Sequence, residues 1–159
     1  QALRYQVEFN RALGNPPDEK LESVTHRIEG AGDKLVAGLL FVDEAPIERP
    51  IEGNSGFAEK FVQAGPRDKK GRSLRDFDLH TRLFRYPCSY LIYSRGFDEL
   101  PPPMKSYVAA RLKDILQGGG GDSFSHLSAD DRQAILEILR DTKPDLWAES
   151  SNSPGHSGD

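Results

Sequence analysis

Apolar residues in this chain recur every three or four positions, and strict apolar–polar alternation is almost absent. That spacing puts them along one side of a helix and leaves little material for half-buried strands. Ala2, Tyr5, Phe9 and Leu13 share one face, and Gly14 follows as a stop signal. Leu21, Val24, Ile28, Leu35, Leu39 and Val42 form a second stripe, which keeps its phase through Gly30-Ala31-Gly32. Two helix-weakening glycines so close together cost about 2 kcal/mol against alanine. A break or kink there, with Asp33 capping a new helix, is expected over one long helix with a close-packed glycine spot.

Prolines and glycines punctuate the rest. Pro16-Pro17 is a turn and an acceptable helix start. Two prolines keep residues 46–54 out of a helix. Ser55 is placed to cap a short helix over 56–64 that buries Phe57, Phe61 and Val62. Residues 74–84 carry Leu74, Phe77, Thr81 and Phe84 on one side and Leu79 and Leu83 on another, which predicts a central helix. Pro87 fits the first turn of the next helix, and 87–94 should be among the most buried segments. Met104, Val108, Leu112 and Ile115 make a further stripe, closed by Gly118 to Gly121, which reads as a flexible link. Ser128-Ala129-Asp130-Asp131 resembles a capping box, and Ala134, Ile135, Ile138 and Leu139 follow on one face until Lys143-Pro144. The predicted fold class is therefore all-α: a single irregular helical domain of about six or seven short helices with long Pro- and Gly-rich loops. The domain spans 1–149, and 150–159 is a polar tail read as flexible.

Composition removes several functions. A net charge of −4 argues against a nucleic-acid binder, which needs a surplus of cations to replace phosphate counterions. The longest apolar run, Leu39-Leu40-Phe41-Val42, is far too short for a transmembrane segment. One cysteine supplies neither an internal disulfide nor a CxxC metal site, so no metal or cofactor is expected. The sequence starts at Gln1 without a signal-peptide pattern and reads as helix from its first residues, which suggests a piece of a longer protein.

The densest stretch is Arg85 to Ser94, RYPCSYLIYS. It holds Cys88, which is either a nucleophile or redox thiol activated at a helix N-terminus, or a small apolar member of the stripe Phe84, Cys88, Leu91. His80 is too far along the chain to serve it, about 12 Å of helical rise away. The core reading is the expected one. Tyr86, Tyr90 and Tyr93, with Arg85 beside them, read as rings at the edge of the core, or as a wall for a cofactor. A single basic patch stands out: Arg67, Lys69, Lys70, Arg72 and Arg75, between Gly65 and Asp76. These cations either hold a phosphate, an acidic partner or an anionic lipid head, or pair locally with Asp68, Asp76 and Asp78 in a solvated loop. None of Lys69, Lys70 and Arg72 lies on an apolar stripe, so changing all three to Gln should leave the fold intact. The quartet Gly118–Gly121 lacks the following Lys-Ser or Lys-Thr of a phosphate loop, and the pairs Asp43-Glu44, Asp98-Glu99 and Asp130-Asp131 lack the setting of a catalytic acid.

Two segments carry a likeness. GFAEKFVQAGPRDKKGRSLRDFDLHTRLFRYPCSYLIYSRGFDELP (56–101) and HLSADDRQAILEILRDTKPDL (126–146), with SVTHRI and LLFVDEAPI, resemble the C-terminal region of large, exported bacterial proteins. The resemblance implies the C-terminal helical module of a longer chain, in the periplasm or secreted. Some relatives sit near c-type cytochrome modules, although this chain has no CxxCH. No catalytic residue comes with the likeness.

Three functions follow as expectations. The first is a non-catalytic interaction or structural module that docks on a protein partner or on the remainder of its own chain, with Phe97, Leu100 and Trp147 exposed for contact. The second is a thiol-dependent enzyme or redox site at Cys88. The third is an accessory subunit touching a cofactor in a larger electron-transfer assembly through Arg85, Tyr86 and Tyr90.

Overall fold

The computed structural model describes residues 7–8, 10–14, 16, 21–52 and 56–148. The expectations for Ala2, Tyr5 and Phe9, for Pro17, for the Ser55 cap and for the 150–159 tail lie outside these residues. Within them the chain is all-α, and the nearest thing to a strand is one antiparallel bridge between Phe77 and Phe84. The α-helices are α1 (Leu21–Leu39), α2 (Gly56–Gln63), α3 (Arg95–Asp98), α4 (Pro102–Leu116), α5 (Ala129–Thr142) and α6 (Asp145–Ala148). Short 3-10 turns occupy Tyr90–Tyr93 and Gly121–Phe124.

One apolar core joins these elements apart from α2, which contributes no residue to it. Its centre is α4, which packs on α1, α5 and α6. Pro102 and Pro103 start this helix, where their missing N–H groups cost nothing. It buries Val108, Ala109, Leu112, Ile115 and Leu116. α5 adds Ile135, Leu136, Ile138 and Leu139 from one face. Its start is the capping box expected from the sequence: Ser128 Oγ accepts from Asp131 N at 3.0 Å, and Asp131 Oδ2 accepts from Ser128 N at 3.2 Å.

α1 runs unbroken through Gly30-Ala31-Gly32, against the expected break. Tertiary packing outweighs the local weakness. A Cβ at Gly32 would overlap the Tyr107 ring of α4, so the glycine lets the two helices approach closely. Asp33 caps nothing. It accepts from the Tyr107 hydroxyl at 2.7 Å and from Arg111 Nε at 3.3 Å.

Residues 74–84 are not a central helix but a bent hairpin. Leu79 N donates to Arg82 O at 2.9 Å, and Asp78 N donates to Leu83 O at 3.0 Å. Aspartate side chains do what a helix ladder would otherwise do. Asp78 Oδ2 accepts the N–H groups of His80, Thr81 and Arg82 at 3.3, 2.9 and 3.2 Å. Asp76 Oδ2 takes Ser73 N at 3.0 Å. The apolar residues on two sides of an imagined helix become an aromatic stack, with Phe77 and Phe84 centroids 5.4 Å apart and Phe61 5.2 Å from Phe77.

Phe57 on α2 is 70% exposed, and that helix buries no residue fully. Phe97, expected at the surface, is buried in the core. The segment Gly118–Gly121 is an ordered turn, with positive φ at Gly118, Gly120 and Gly121. The Arg132 guanidinium holds it by donating to the carbonyls of Ile115, Gly119 and Phe124.

Candidate functional site

The basic patch folds onto its own protein. Gly71, with φ of 79°, closes a tight turn in which Asp68 N donates to Arg72 O and Gly71 N to Asp68 O, both at 2.9 Å. The Asp68 side chain is fully buried at the centre of this turn. Its Oδ1 accepts from Lys70 N at 3.0 Å and Arg72 N at 2.8 Å, and its Oδ2 accepts from Arg72 Nε at 2.7 Å. Burial alone would raise this carboxyl's pKa, but the Arg72 guanidinium and the two backbone N–H groups outweigh it and hold the pKa below the ordinary value.

From that anchor the cations reach α5 and α2. Arg72 Nη2 lies 2.6 Å from Glu137 Oε2, Lys70 Nζ lies 3.0 Å from the same oxygen, and Lys69 N donates to Asp141 Oδ2 at 3.0 Å. Arg67 donates to Gly71 O at 2.7 Å and pairs with Asp76 at 3.4 Å. The Arg75 guanidinium lies 4.6 Å from the Phe61 ring centroid and 4.7 Å from that of Tyr90, a cation–π contact with each. Asp68 and Asp76 are thus local partners, as the sequence suggested, while Asp78 serves the hairpin. Glu137 and Asp141 were not foreseeable from the loop's neighbourhood. The two lysine side chains keep most of their surface in solvent, 88% for Lys69 and 67% for Lys70.

Cys88 is fully buried, and loss of water pushes its thiol up to about 12. It also sits outside any helix start. The 3-10 turn begins later, at Tyr90, with Ser89 Oγ accepting from Leu91 N at 3.2 Å. Ser89 N donates to Leu39 O at 2.7 Å, which fastens this segment to the end of α1. His80, the histidine weighed as its base, is exposed on the hairpin. Tyr86 is buried with Arg85 over its ring, and Tyr90 packs edge-on against Phe61. The Tyr93 hydroxyl pairs with Thr142 Oγ1 at 2.6 Å, and burial pushes its pKa up to about 12. The three rings therefore face different neighbours and do not line one cleft.

A surface that sequence reasoning missed lies on the other side of this segment. Where Ser89 to Leu100 crosses the second half of α1, an apolar groove of about 460 Å³ opens between Leu35, Gly38 and Leu39 on one wall and Leu91, Phe97 and Leu100 on the other. Leu91 stands 54% exposed beside it, while its neighbour Ile92 is fully buried and fixes the turn. Leu35 and Leu39 were legible as an apolar stripe, but the same stripe serves both core and groove. A second, more polar cavity of about 530 Å³ lies between Phe41–Pro46 and the Asp122–His126 turn. His126 Nε2 sits 2.7 Å from Leu40 O there, at the end of α1. Among the described residues no group of His, Cys, Asp and Glu side chains is arranged to hold a metal ion.

Compared with protein-family models, with curated proteins and with solved structures, the chain matches none.

Proposed function

We propose that this chain is a non-catalytic helical interaction module, docking on a protein partner or on the remainder of a longer chain of its own. The observation that carries the reading is the groove beside Leu91. It is an open apolar groove with Leu91 54% exposed beside it, and such surfaces mark contact sites more often than isolated exposed leucines do. The burial of Cys88 supports the same reading over thiol chemistry, because a thiolate must be both formed and reached. The likeness of 56–101 and 126–146 to exported bacterial proteins supports a C-terminal module acting in the periplasm or outside the cell.

The test uses the full-length protein in its own cells. A photo-crosslinking phenylalanine analogue replacing Leu91 should give one discrete adduct, with another protein or with another segment of the same chain. The same probe replacing Lys60, outside the groove, should give none. Absence of an adduct at position 91 overturns the reading, as does rapid iodoacetamide modification of native Cys88 at neutral pH.

A further inference from the structure

We propose that the groove beside Leu91 takes an acidic segment of a partner protein, one that inserts an apolar side chain and sets a carboxylate against Lys34. The inference rests on the interaction-module reading and adds the chemistry of the occupant.

The first argument is charge. Lys34 is the one charged residue lining the groove, and no carboxylate lines it, in a chain whose net charge is −4. The other cations nearby are matched. Arg95 Nε is 2.6 Å from Glu99, and Lys143 Nζ is 2.7 Å from Asp98. Lys34 is exposed and makes no ion pair among the described residues. Its helical neighbours at three and four residues are Gly30, Ala31, Ala37 and Gly38, so the usual source of an intrahelical partner is missing. A lone cation at the lip of an apolar slot complements an anion next to an apolar anchor.

The second argument is the glycines. Gly38 lies in the last turn of α1, where its carbonyl accepts from Phe41 N at 3.2 Å. Nothing in the fold requires it: its φ is not positive, and a Cβ there would meet no atom within 4 Å. Gly96, on the facing wall, would bring a Cβ no closer than 3.8 Å to Ser94 Oγ, an ordinary contact. Gly32, six residues before Gly38, shows the contrast, since Tyr107 fills the space over it. The space over Gly38 is the groove itself. Gly30 is equally open, so openness alone marks no site, but Gly38 and Gly96 line the groove and leave its floor free of side chains.

The experiment titrates the chain with two short probes: the N-acetyl pentapeptide amide Glu-Glu-Leu-Phe-Glu, and its counterpart with lysines in place of the glutamates. Backbone amide shifts report the site. The acidic peptide should shift the amides of Leu35, Gly38, Leu91 and Gly96 and bind about fivefold tighter than the basic one, the scale of one exposed ion pair. Lys34→Glu should reverse that preference. Gly38→Leu, which fills the groove, should abolish binding of both peptides while circular dichroism and melting temperature hold or rise. Equal binding of the two peptides, shifts elsewhere, no binding, or indifference to Gly38→Leu overturns the proposal. So does a concentration-dependent dimer that Gly38→Leu removes, which gives the groove to a second copy, or selective binding of sodium dodecanoate there, which gives it to a lipid chain. An adduct at position 91 with no acidic preference would sink this inference and leave the interaction module standing.

Discussion

Arg72 Nη2 lies 2.6 Å from Glu137 Oε2, and the two residues are 65 positions apart in sequence. This contact, with Asp68 buried behind it, pins the basic loop to α5. It changes the expected result of neutralising the loop. Arg72→Gln leaves the buried Asp68 carboxylate without its cation, and breaking such a pair costs about 3 kcal/mol. Lys69→Gln, at a mostly exposed side chain, should stay within about 0.5 kcal/mol. Urea denaturation of the two single variants checks this. A triple Gln variant should lose stability through Arg72, contrary to what the absence of these residues from any apolar stripe suggests.

Stability should fall in acid through Asp78 and Glu137. The backbone N–H of Thr81 is the largest influence on Asp78. Burial opposes it, and the Arg82 N–H, the Thr81 hydroxyl and the His80 N–H reinforce it, taking the pKa to about 2. The Gln133 amide, then Arg72 and Lys70, take Glu137 to about 2 as well. Both pKa values lie below those of the unfolded chain, so the folded state binds fewer protons. Its advantage is complete above the unfolded carboxylate values of roughly 4 and is lost as pH falls toward the folded values. Melting temperature followed from pH 7 to pH 2 should drop within that window. Asp78→Asn should flatten part of the drop, since the amide oxygen still accepts the hairpin N–H groups but no longer titrates.

Gly30 and Gly32 should respond in opposite directions to alanine. A Cβ at Gly30 meets nothing within 4 Å, so Gly30→Ala should stabilise α1 by about 0.5–1 kcal/mol. Gly32→Ala drives a methyl into the Tyr107 ring, whose hydroxyl is held by Asp33. Overpacking of this kind costs about 1–3 kcal/mol, more than the gain in propensity. Thermal melts of both variants decide it, and a stabilised Gly32→Ala would mean that the α1–α4 contact is looser than described.

Arg132 should matter as a polar tie, because it is half-buried on the inward face of α5, one turn before Ile135 and Leu136. Its guanidinium is a shared donor for the carbonyls of Ile115, Gly119 and Phe124, at the end of α4 and around the glycine turn. Arg132→Met removes these donors and should cost about 2–4 kcal/mol, with charge-assisted bonds lost and carbonyls left short of partners. Hydrogen exchange should quicken first at residues 118–127. Unchanged exchange there would show that the turn holds itself.

The helical class, the stripes of α1, α4 and α5 and the Ser128 capping box were all legible in the sequence, because each depends on residues within a turn or two of one another. Periodicity and capping are local physics, and they carry over unchanged into the fold. Residues 74–84 show where that reasoning stops. Their apolar spacing suits a helix, yet Asp76 and Asp78 compete for the backbone N–H groups, and Phe61 offers the rings a stack. Continuity of α1 through Gly32 was likewise decided by Tyr107, 75 residues later in the chain. The groove had no signal of its own, since Leu35, Gly38, Leu91 and Leu100 become neighbours only when the segment after Pro87 is fastened to Leu39 O. Long-range contacts set how close two elements come, and that distance determines whether a glycine is a weakness, a packing surface or the floor of a site.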